Sequence, residues 1–448
     1  MTRTRLALLS SFALLASGGL VFACSSGDDT TDSGPQDAAK QDSTTKDAAT
    51  DTTTDSQTKD SSNDVTTAET GTDGSTDDGS TDDGSTDDAS DAAIGDAGAV
   101  TTFMVLRVGG ADDAGSEAGL SSASTQVFVE ERNISDGSLV RTIDIPTASS
   151  GSNQPLTMSG SSTSEGHLTT SLDGKYVVLT GFATGTGVAS VSSTSVFDGG
   201  TLRVIGRIDH AGTVDTTTLL MAFDRSDIRS AVTNDGTTFW ASGSVGSIAA
   251  DSGIDAQVYD LNGGVQYVAL GSTGASTNIT EVPFNTRVAG IFGNQLYVSS
   301  AVTPQNGVSA VGTGVPTTTG QTSALLTGFA GDSGGPYGFS MMDLDASVSG
   351  VDTLYLADEG SGIQKWVFDG ATWTKIATFN NGNTAAGFRG LTVQQTSAGM
   401  VILATSTETK SNNVIKYVDD GSTTNPTGTV IASSPTNTAF RGIALAPQ

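Results

Sequence analysis

Basic side chains recur at one place in a long repeat of this sequence. Similar segments start at six points that lie 51 to 62 residues apart, namely His167, Arg229, Arg287, Gly338, Arg389 and Arg441. Arginine presents a planar fork of donors that matches carboxylates and phosphates, so four such groups together would bind an anionic ligand. The alternative is structural: each arginine pairs with an acid of a neighbouring repeat, such as Asp227, Asp260 or Asp358, and locks the repeats together.

A serine motif is the clearest candidate for catalysis. Residues 331–336 are Gly-Asp-Ser-Gly-Gly-Pro, which resembles the nucleophile motif of trypsin-like serine proteases. Such an enzyme needs a general base, and the two histidines of the chain, His167 and His210, lack that family's Ala-Ala-His-Cys context. Because a local motif does not transfer without its structural context, we predict no catalytic residue.

Metal and cofactor sites are not predicted either. No cluster of His and Cys has the spacing of zinc ligands. The acidic stretch Asp343-Leu344-Asp345 lacks the glycine and the terminal glutamate of an EF-hand loop. The sequence therefore predicts neither a metal nor a cofactor.

The elements that must position the basic residues are β-strands. From residue 101 onward, short runs rich in Val, Ile, Thr, Tyr and Phe alternate with Gly, Asp, Asn and Ser, without a 3.6-residue period. The dipeptides Asp173-Gly174, Asp235-Gly236 and Gly293-Asn294 indicate hairpin turns. A second hairpin follows most repeat starts, and we predict these at 196–208, 257–270, 363–378 and 414–431. Four strands in each repeat are typical of a propeller blade.

The predicted fold is all-β: a six-bladed β-propeller in which the chain ends share one blade. The last repeat stops after one strand, at Gln448. Predicted strands at 102–108, 126–131 and 139–145 would complete that blade and remove an exposed sheet edge. The repeat starts would then converge at the mouth of a central channel. The alternatives are a seventh blade within residues 301–336 and a pair of β-sandwiches.

Parts of the repeat resemble known propellers. The segment LDGKYVVLTG (172–181) resembles strands of TolB-like bacterial propellers. The segment SGIQKWVFDGATW (361–373), with FRGLT (388–392) and FRGIALAP (440–447), resembles secreted bacterial propellers that have no assigned activity. The resemblance implies architecture and no function. We interpret the strand aromatics as core between blades rather than as a sugar platform: Trp240, Tyr259, Trp366 and Trp373.

The N-terminus predicts secretion and lipidation. Arg3 and Arg5 precede an apolar run over 6–21 that is too short to span a membrane and has the layout of a signal peptide. The sequence Val-Phe-Ala-Cys at 21–24 resembles the lipobox of bacterial lipoproteins. The resemblance implies a signal peptide over 1–23 and acylation of Cys24, and stable anchoring takes two acyl chains. An ordinary cleavage site with an incidental cysteine is the alternative.

A disordered acidic linker over 24–98 is predicted to join the anchor to a propeller domain over 99–448. Residues 25–100 hold 20 acidic residues, three lysines and no aromatic residue, so they cannot bury enough apolar surface to fold. Gly-Ser-Thr-Asp-Asp occurs three times within 74–88. A Ca²⁺ site there is the alternative, although no apolar residue would fix its loop.

The net charge and the predicted location of the protein restrict the classes of function that we consider. A net charge of −29 argues against nucleic acid and anionic membrane surfaces as direct partners. Ser25 and Ser26, in place of Asp after the cysteine, imply outer-membrane delivery by resemblance to the lipoprotein sorting rule. We expect a monomeric lipoprotein of the cell envelope whose propeller is a non-enzymatic binding or scaffold domain for a protein or a glycan. A propeller hydrolase or lyase with its site at the channel mouth is the alternative.

Overall fold

A computed structural model of the protein describes residues 100–110, 119–197, 199–246, 263–329 and 334–448. All of them belong to one compact unit over 89–448. The predicted signal peptide, Cys24 and the predicted linker lie outside the described residues. The described residues form strands, turns and loops, with one 3-10 helix at Val191–Ser193. Within them, no helix has the length and apolar character needed to cross a membrane.

The strands follow one another closely along the chain. The first fourteen are β1 (Thr102–Val108), β2 (Ser124–Thr125), β3 (Val127–Asn133), β4 (Leu139–Asp144), β5 (Met158–Ser159), β6 (Thr169–Thr170), β7 (Tyr176–Phe182), β8 (Arg203–Asp209), β9 (Val214–Leu220), β10 (Ile228–Val232), β11 (Thr238–Gly243), β12 (Gly264–Ala269), β13 (Thr273–Gly274) and β14 (Thr277–Thr280). The others are β15 (Thr286–Phe292), β16 (Gln295–Ser300), β17 (Gly307–Val311), β18 (Ser323–Leu325), β19 (Pro336–Met342), β20 (Thr353–Asp358), β21 (Gly362–Phe368), β22 (Trp373–Phe379), β23 (Phe388–Thr396), β24 (Gly399–Ser406), β25 (Asn413–Asp419), β26 (Thr429–Ser433) and β27 (Ala439–Leu445).

These strands form six antiparallel blades around a central channel, which confirms the predicted six-bladed propeller. From the centre outward, blade 1 is β27-β1-β3-β4, blade 2 is β6-β7-β8-β9 and blade 3 is β10-β11-β12-β14. Blade 4 is β15-β16-β17-β18, blade 5 is β19-β20-β21-β22 and blade 6 is β23-β24-β25-β26. Strand β13 adds a parallel edge to blade 2, and β2 pairs with β5 in a separate ribbon.

Blade 1 closes the ring with the two ends of the domain, as predicted. Strand β27 pairs antiparallel with β1, with Phe103 opposite Leu445 and Val108 opposite Ala439. The stretch 301–336 supplies β17 and β18, the outer strands of blade 4, so the alternative of a seventh blade there is wrong. The alternative of two sandwiches is also wrong, because the sheets are arranged radially around one central axis, each with one edge strand facing that axis.

The core lies between the faces of neighbouring blades. Along β1, Met104, Leu106 and Val108 pack with strands of blade 2, while Phe103 and Val105 pack with strands of blade 6. All five side chains are fully buried. Alternate residues of a strand point to opposite faces, so a blade between two neighbours needs apolar residues at both parities. This explains why these strands are continuous apolar runs rather than alternating ones.

The outer hairpin of blade 2 differs from the prediction at 196–208. It is formed by β8 and β9, and the described residues of 183–202 hold the 3-10 helix at Val191–Ser193 and no strand. Val196 is buried, but its backbone N–H donates to the carboxylate of Asp224 at 2.8 Å rather than to a strand. An apolar residue that anchors a loop therefore gave the same sequence signal as the start of a strand.

The two ends of the propeller are built differently. Innermost strands begin at one end, which we call the mouth face, and strand alternation brings residues 145–168, 183–202 and 407–412 to that face. The other end, the hairpin face, carries tight turns, including Gly293-Asn294 and residues 397–398, and the loops 312–322 and 343–352. Long loops on a rigid scaffold are where binding residues are usually found.

Candidate functional site

The basic residues predicted from the repeat come together at the mouth face. Arg229, Arg287, Arg389 and Arg441 lie near the starts of β10, β15, β23 and β27, and His167 lies just before β6. His167 is buried, and its burial together with the charges of all four arginines lowers its pKa to about 3. The imidazole is therefore neutral at physiological pH. We call these five residues and Tyr337 the mouth cluster.

Tyr337 is a member that the sequence reasoning missed. The repeat start predicted at Gly338 is offset by one residue, because Gly338 corresponds to Gly390 and Gly442, the residues that follow an arginine. A Cβ atom on Gly442 would lie 2.2 Å from the backbone nitrogen of Leu168, and one on Gly390 would lie 2.4 Å from the Arg441 carbonyl oxygen. Neighbouring innermost strands thus approach too closely for any side chain there. Aligning these glycines would have placed Tyr337 in the ring.

The Tyr337 ring lies among the basic groups. The Arg287 guanidinium carbon is 4.2 Å from the ring centroid and the Arg389 carbon is 5.7 Å away. The His167 and Tyr337 ring centroids are 5.6 Å apart. Tyr337 is 2% exposed, and burial raises the pKa of its phenol. Cation–π contacts of this kind stabilise closely spaced cations around one aromatic ring.

Hydroxyl groups on the second strands fix the backbone of the mouth cluster. Ser299 Oγ donates to the Tyr337 carbonyl at 2.7 Å, and Thr405 Oγ1 donates to the Arg441 carbonyl at 2.6 Å. Ser242 Oγ makes the equivalent bond to the Arg287 carbonyl at 3.0 Å. Each bond crosses from one blade to the next. The sequence signal is a Ser or Thr near the end of the second strand, which the repeat comparison did not use.

Arg441 is tied to a buried acid and to backbone carbonyls. Its Nη1 lies 3.3 Å from Oε1 of Glu165, and its Nη2 donates to the carbonyls of Ser159 and Gly160 at 2.9 Å each. Burial and the charge of Asp227 raise the pKa of Glu165 well above its usual value, although Arg441 acts in the opposite direction. This set of bonds joins blade 1 to the segment that leads into blade 2.

Arg389 is also paired with an acid, in a more open setting. Its Nη2 lies 3.3 Å from Oε2 of Glu359, whose side chain is 35% exposed. Its Nη1 donates to the Thr407 carbonyl at 2.8 Å. Glu359 belongs to the loop between β20 and β21, so this pair joins blade 5 to blade 6.

Arg229 and Arg287 have neutral partners. Arg229 donates to the Asn285 side chain, to the Thr286 carbonyl at 2.9 Å and to Ser244 Oγ at 3.3 Å. Arg287 donates to the Tyr337 hydroxyl. Burial and the charge of Arg287 lower the pKa of Arg229 to about 10. These two guanidinium groups therefore repel each other without a bonded carboxylate between them.

The acids predicted as arginine partners make other bonds. Asp227 accepts from Ser162 and Ser164 at 2.9 and 3.1 Å. Asp358 accepts from the backbone of Gly335 and Gly360, and Asp260 lies outside the described residues. The bonded acids are Glu165 and Glu359, which lie in segments that the sequence reasoning treated as connections.

A neutral channel continues behind the mouth cluster. Its volume is about 190 Å³, and it is lined by the innermost strands, including Thr170, Phe292, Phe339 and Leu391. His167 lines its mouth end. Within the described ranges, no group of three or more His, Cys, Asp or Glu side chains could hold a metal ion.

The other residues singled out in the sequence are not part of the mouth cluster. Trp240, Trp366 and Trp373 are 3%, 6% and 5% exposed and pack between blades, whereas Tyr259 lies outside the described residues. His210 bonds the Pro447 carbonyl at 2.8 Å on the hairpin face. The serine of the 331–336 motif also lies outside the described residues.

Comparison with known proteins gives only distant structural likenesses. No protein-family model and no curated protein matches this sequence. A periplasmic gluconolactonase of Pseudomonas aeruginosa is 11% identical, with a TM-score of 0.35 over 76% of this chain and 99% of that chain. A protein from Lactobacillus plantarum is 10% identical, with a TM-score of 0.38 over 75% of this chain and 82% of that chain. Nothing about activity follows from likenesses of this size, and the propeller itself is established by its sheet topology.

Proposed function

We propose that this protein is a lipid-anchored binding or scaffold protein of the cell envelope. In this proposal Cys24 carries the anchor, the acidic segment after it is a flexible linker, and the mouth face of the propeller binds a protein or a glycan. The observation that carries the proposal is the difference between the two faces. The mouth face gathers the mouth cluster and the longest connections, whereas the hairpin face carries tight turns and the shorter loops 312–322 and 343–352.

Exposed apolar residues support a contact surface at the mouth face. Val282 and Phe284 are 52% and 49% exposed in the loop between β14 and β15. The next residue is Asn285, which accepts a hydrogen bond from Arg229. An aromatic side chain beside fixed polar groups is the usual composition of a binding hot spot.

A matched pair of substitutions tests the proposal. Phe284→Asp places a charge on the mouth face, and Leu172→Asp does the same at a residue that is 51% exposed in a hairpin-face turn. Both are made in a Cys24→Ala background, which removes the proposed anchor. Binding to cell envelopes that lack the protein is measured by sedimentation. We expect Phe284→Asp to weaken saturable binding by about tenfold and Leu172→Asp to leave it unchanged. Equal effects of the two variants would contradict the proposal.

A hydrolase or lyase at the same mouth is the second candidate, and Glu165 is the observation that favours it. A carboxyl group whose pKa lies well above its usual value can act as a general acid. Its Oε2 atom has no hydrogen-bond partner among the described residues. Glu165→Gln should abolish any hydrolysis of an envelope glycan by the full chain while preserving envelope binding. Hydrolysis that survives this substitution would remove the candidate.

A further inference from the structure

The four arginines of the mouth cluster fall into two pairs. Arg389 and Arg441 each lie 3.3 Å from a carboxylate oxygen. Arg229 and Arg287 bond only to an amide, hydroxyl groups and a carbonyl. Each arginine on one side of the ring therefore has a bonded acid, whereas the two arginines at blades 3 and 4 have none within the described part of the chain.

The unbalanced pair also has unused donors. The Nε atoms of Arg229 and Arg287 are buried and have no hydrogen-bond partner among the described residues. Nε2 of His167, in the same cluster, also lacks a partner. A buried donor without a partner costs about 1 to 3 kcal/mol, so such atoms normally face water or a ligand. Two such arginine donors and an unpartnered imidazole nitrogen in one cluster indicate that something polar is accommodated there.

The absence of a bonded acid at Arg229 and Arg287 favours an anion. Arg229 is 7% exposed, and burial and the charge of Arg287 lower its pKa, while the charges of Asp227, Tyr337 and Glu165 act in the opposite direction. Asp227 accepts from Ser162 and Ser164 with one oxygen, and its other oxygen has no hydrogen-bond partner among the described residues, so neither oxygen bonds an arginine. An anion between the two guanidinium groups would relieve their repulsion and accept from their Nε atoms.

We propose that Arg229 and Arg287 bind the carboxylate group of a small ligand at the channel mouth. This inference rests on the proposed binding function of the mouth face and names the ligand chemistry. A planar carboxylate matches the planar donor edge of a guanidinium group. Arg287 is partly exposed, so a ligand reaches the pair from solvent on the mouth face. The carboxylate belongs either to a free organic acid or to a uronate residue of a glycan.

Arginine side-chain NMR on the wild-type protein provides a direct test. The full chain is labelled with ¹⁵N-arginine and titrated in detergent with sodium acetate at constant ionic strength, with sodium chloride as the balance. We expect acetate to shift the Nε–H resonances of Arg229 and Arg287, which Arg229→Lys and Arg287→Lys assign. No acetate-dependent shift, or a shift confined to Arg389 and Arg441, would overturn the proposal.

Thermal unfolding of matched variants supplies the second measurement. We expect acetate to raise the Tm of the wild type by mass action. Arg287→Gln should raise the apparent Kd for acetate by about tenfold. Arg389→Gln should leave that Kd unchanged, because Arg389 is already paired with Glu359. Loss of the acetate effect in both variants alike would contradict the division of the ring into two pairs.

Two further probes, glucuronate and inorganic phosphate, test the chemistry and the source of the ligand. Glucuronate binding more tightly than acetate supports a uronate ligand, and equal binding supports a free organic acid. Inorganic phosphate binding as tightly as acetate would overturn the assignment to a carboxylate. If Phe284→Asp weakens envelope binding but acetate has no effect, the carboxylate inference fails alone. If acetate binds but Phe284→Asp has no effect, the proposed function fails instead.

Discussion

Removing Arg441 should destabilise the propeller more than removing any other arginine of the mouth cluster. Arg441→Gln deletes the donors to three buried acceptors: Glu165 Oε1 and the carbonyls of Ser159 and Gly160. At about 1 kcal/mol for each lost bond, the free energy of unfolding should fall by about 3 kcal/mol. The raised pKa of Glu165 limits any larger penalty, because that carboxyl group can take up a proton rather than remain as a buried charge.

Arg389→Gln is the control for this substitution. Its acid partner, Glu359, is 35% exposed, and water can replace the lost bonds, so we expect a loss of about 1 kcal/mol or less. At about 2 °C per kcal/mol for a domain of this size, Tm should fall by about 6 °C for Arg441→Gln and by about 2 °C for Arg389→Gln. Differential scanning calorimetry in an acetate-free buffer measures both. An equal or larger fall for Arg389→Gln would refute the assignment of Arg441 as the main link between blades 1 and 2.

Three other predictions concern the anchor, the ring closure and a buried acid. Cys24→Ala should move the protein from the membrane fraction to the soluble fraction, and a variant that still pellets with washed membranes would contradict lipidation. A chain ending at Thr438 lacks β27 and should lose cooperative unfolding by calorimetry, and a wild-type transition in that chain would argue against closure by blade 1. The pKa of Glu165 is raised in the folded state, so its contribution to stability is present at low pH and is lost as pH rises above about 4.5 through the folded pKa. The Tm of Glu165→Gln relative to wild type should therefore increase with pH, and a difference that is constant from acid to neutral pH would show that Glu165 titrates normally.

Much of the fold follows from local sequence signals. Blades bury strands on both faces, so the strands stand out as apolar runs, and Asp173-Gly174 and Asp235-Gly236 mark the turns between them. The closing blade could be predicted because one strand was left over at one end of the domain and three were left at the other. The absence of a strand around Val196 could not be predicted. The backbone N–H of this buried residue donates to the Asp224 carboxylate, which is distant in sequence, instead of to a neighbouring strand.

The partners of the arginines were less accessible to sequence reasoning. The ring itself follows from a repeat, but Glu165 and Glu359 occupy connecting segments that differ from blade to blade and have no periodic signal. Which acid reaches which guanidinium depends on loop geometry rather than on proximity in sequence. This is why Asp227 and Asp358, which lie next to strand ends, were predicted as partners and in fact bond serine hydroxyl and backbone N–H groups.

Ring closure by β27 and β1 also determines how the propeller responds to mechanical load. Strand β1 starts at Thr102 on the hairpin face, opposite the end of β27 at Leu445. A pull on the chain at Val100 therefore acts along β1, which is held on one side by β27 and on the other by β3. Both ladders of hydrogen bonds resist in shear, and they share the load instead of opening one bond at a time. If the chain is held at its N-terminal side, the force therefore acts on a strand that is paired along both edges, and the mouth face lies at the opposite end of that strand.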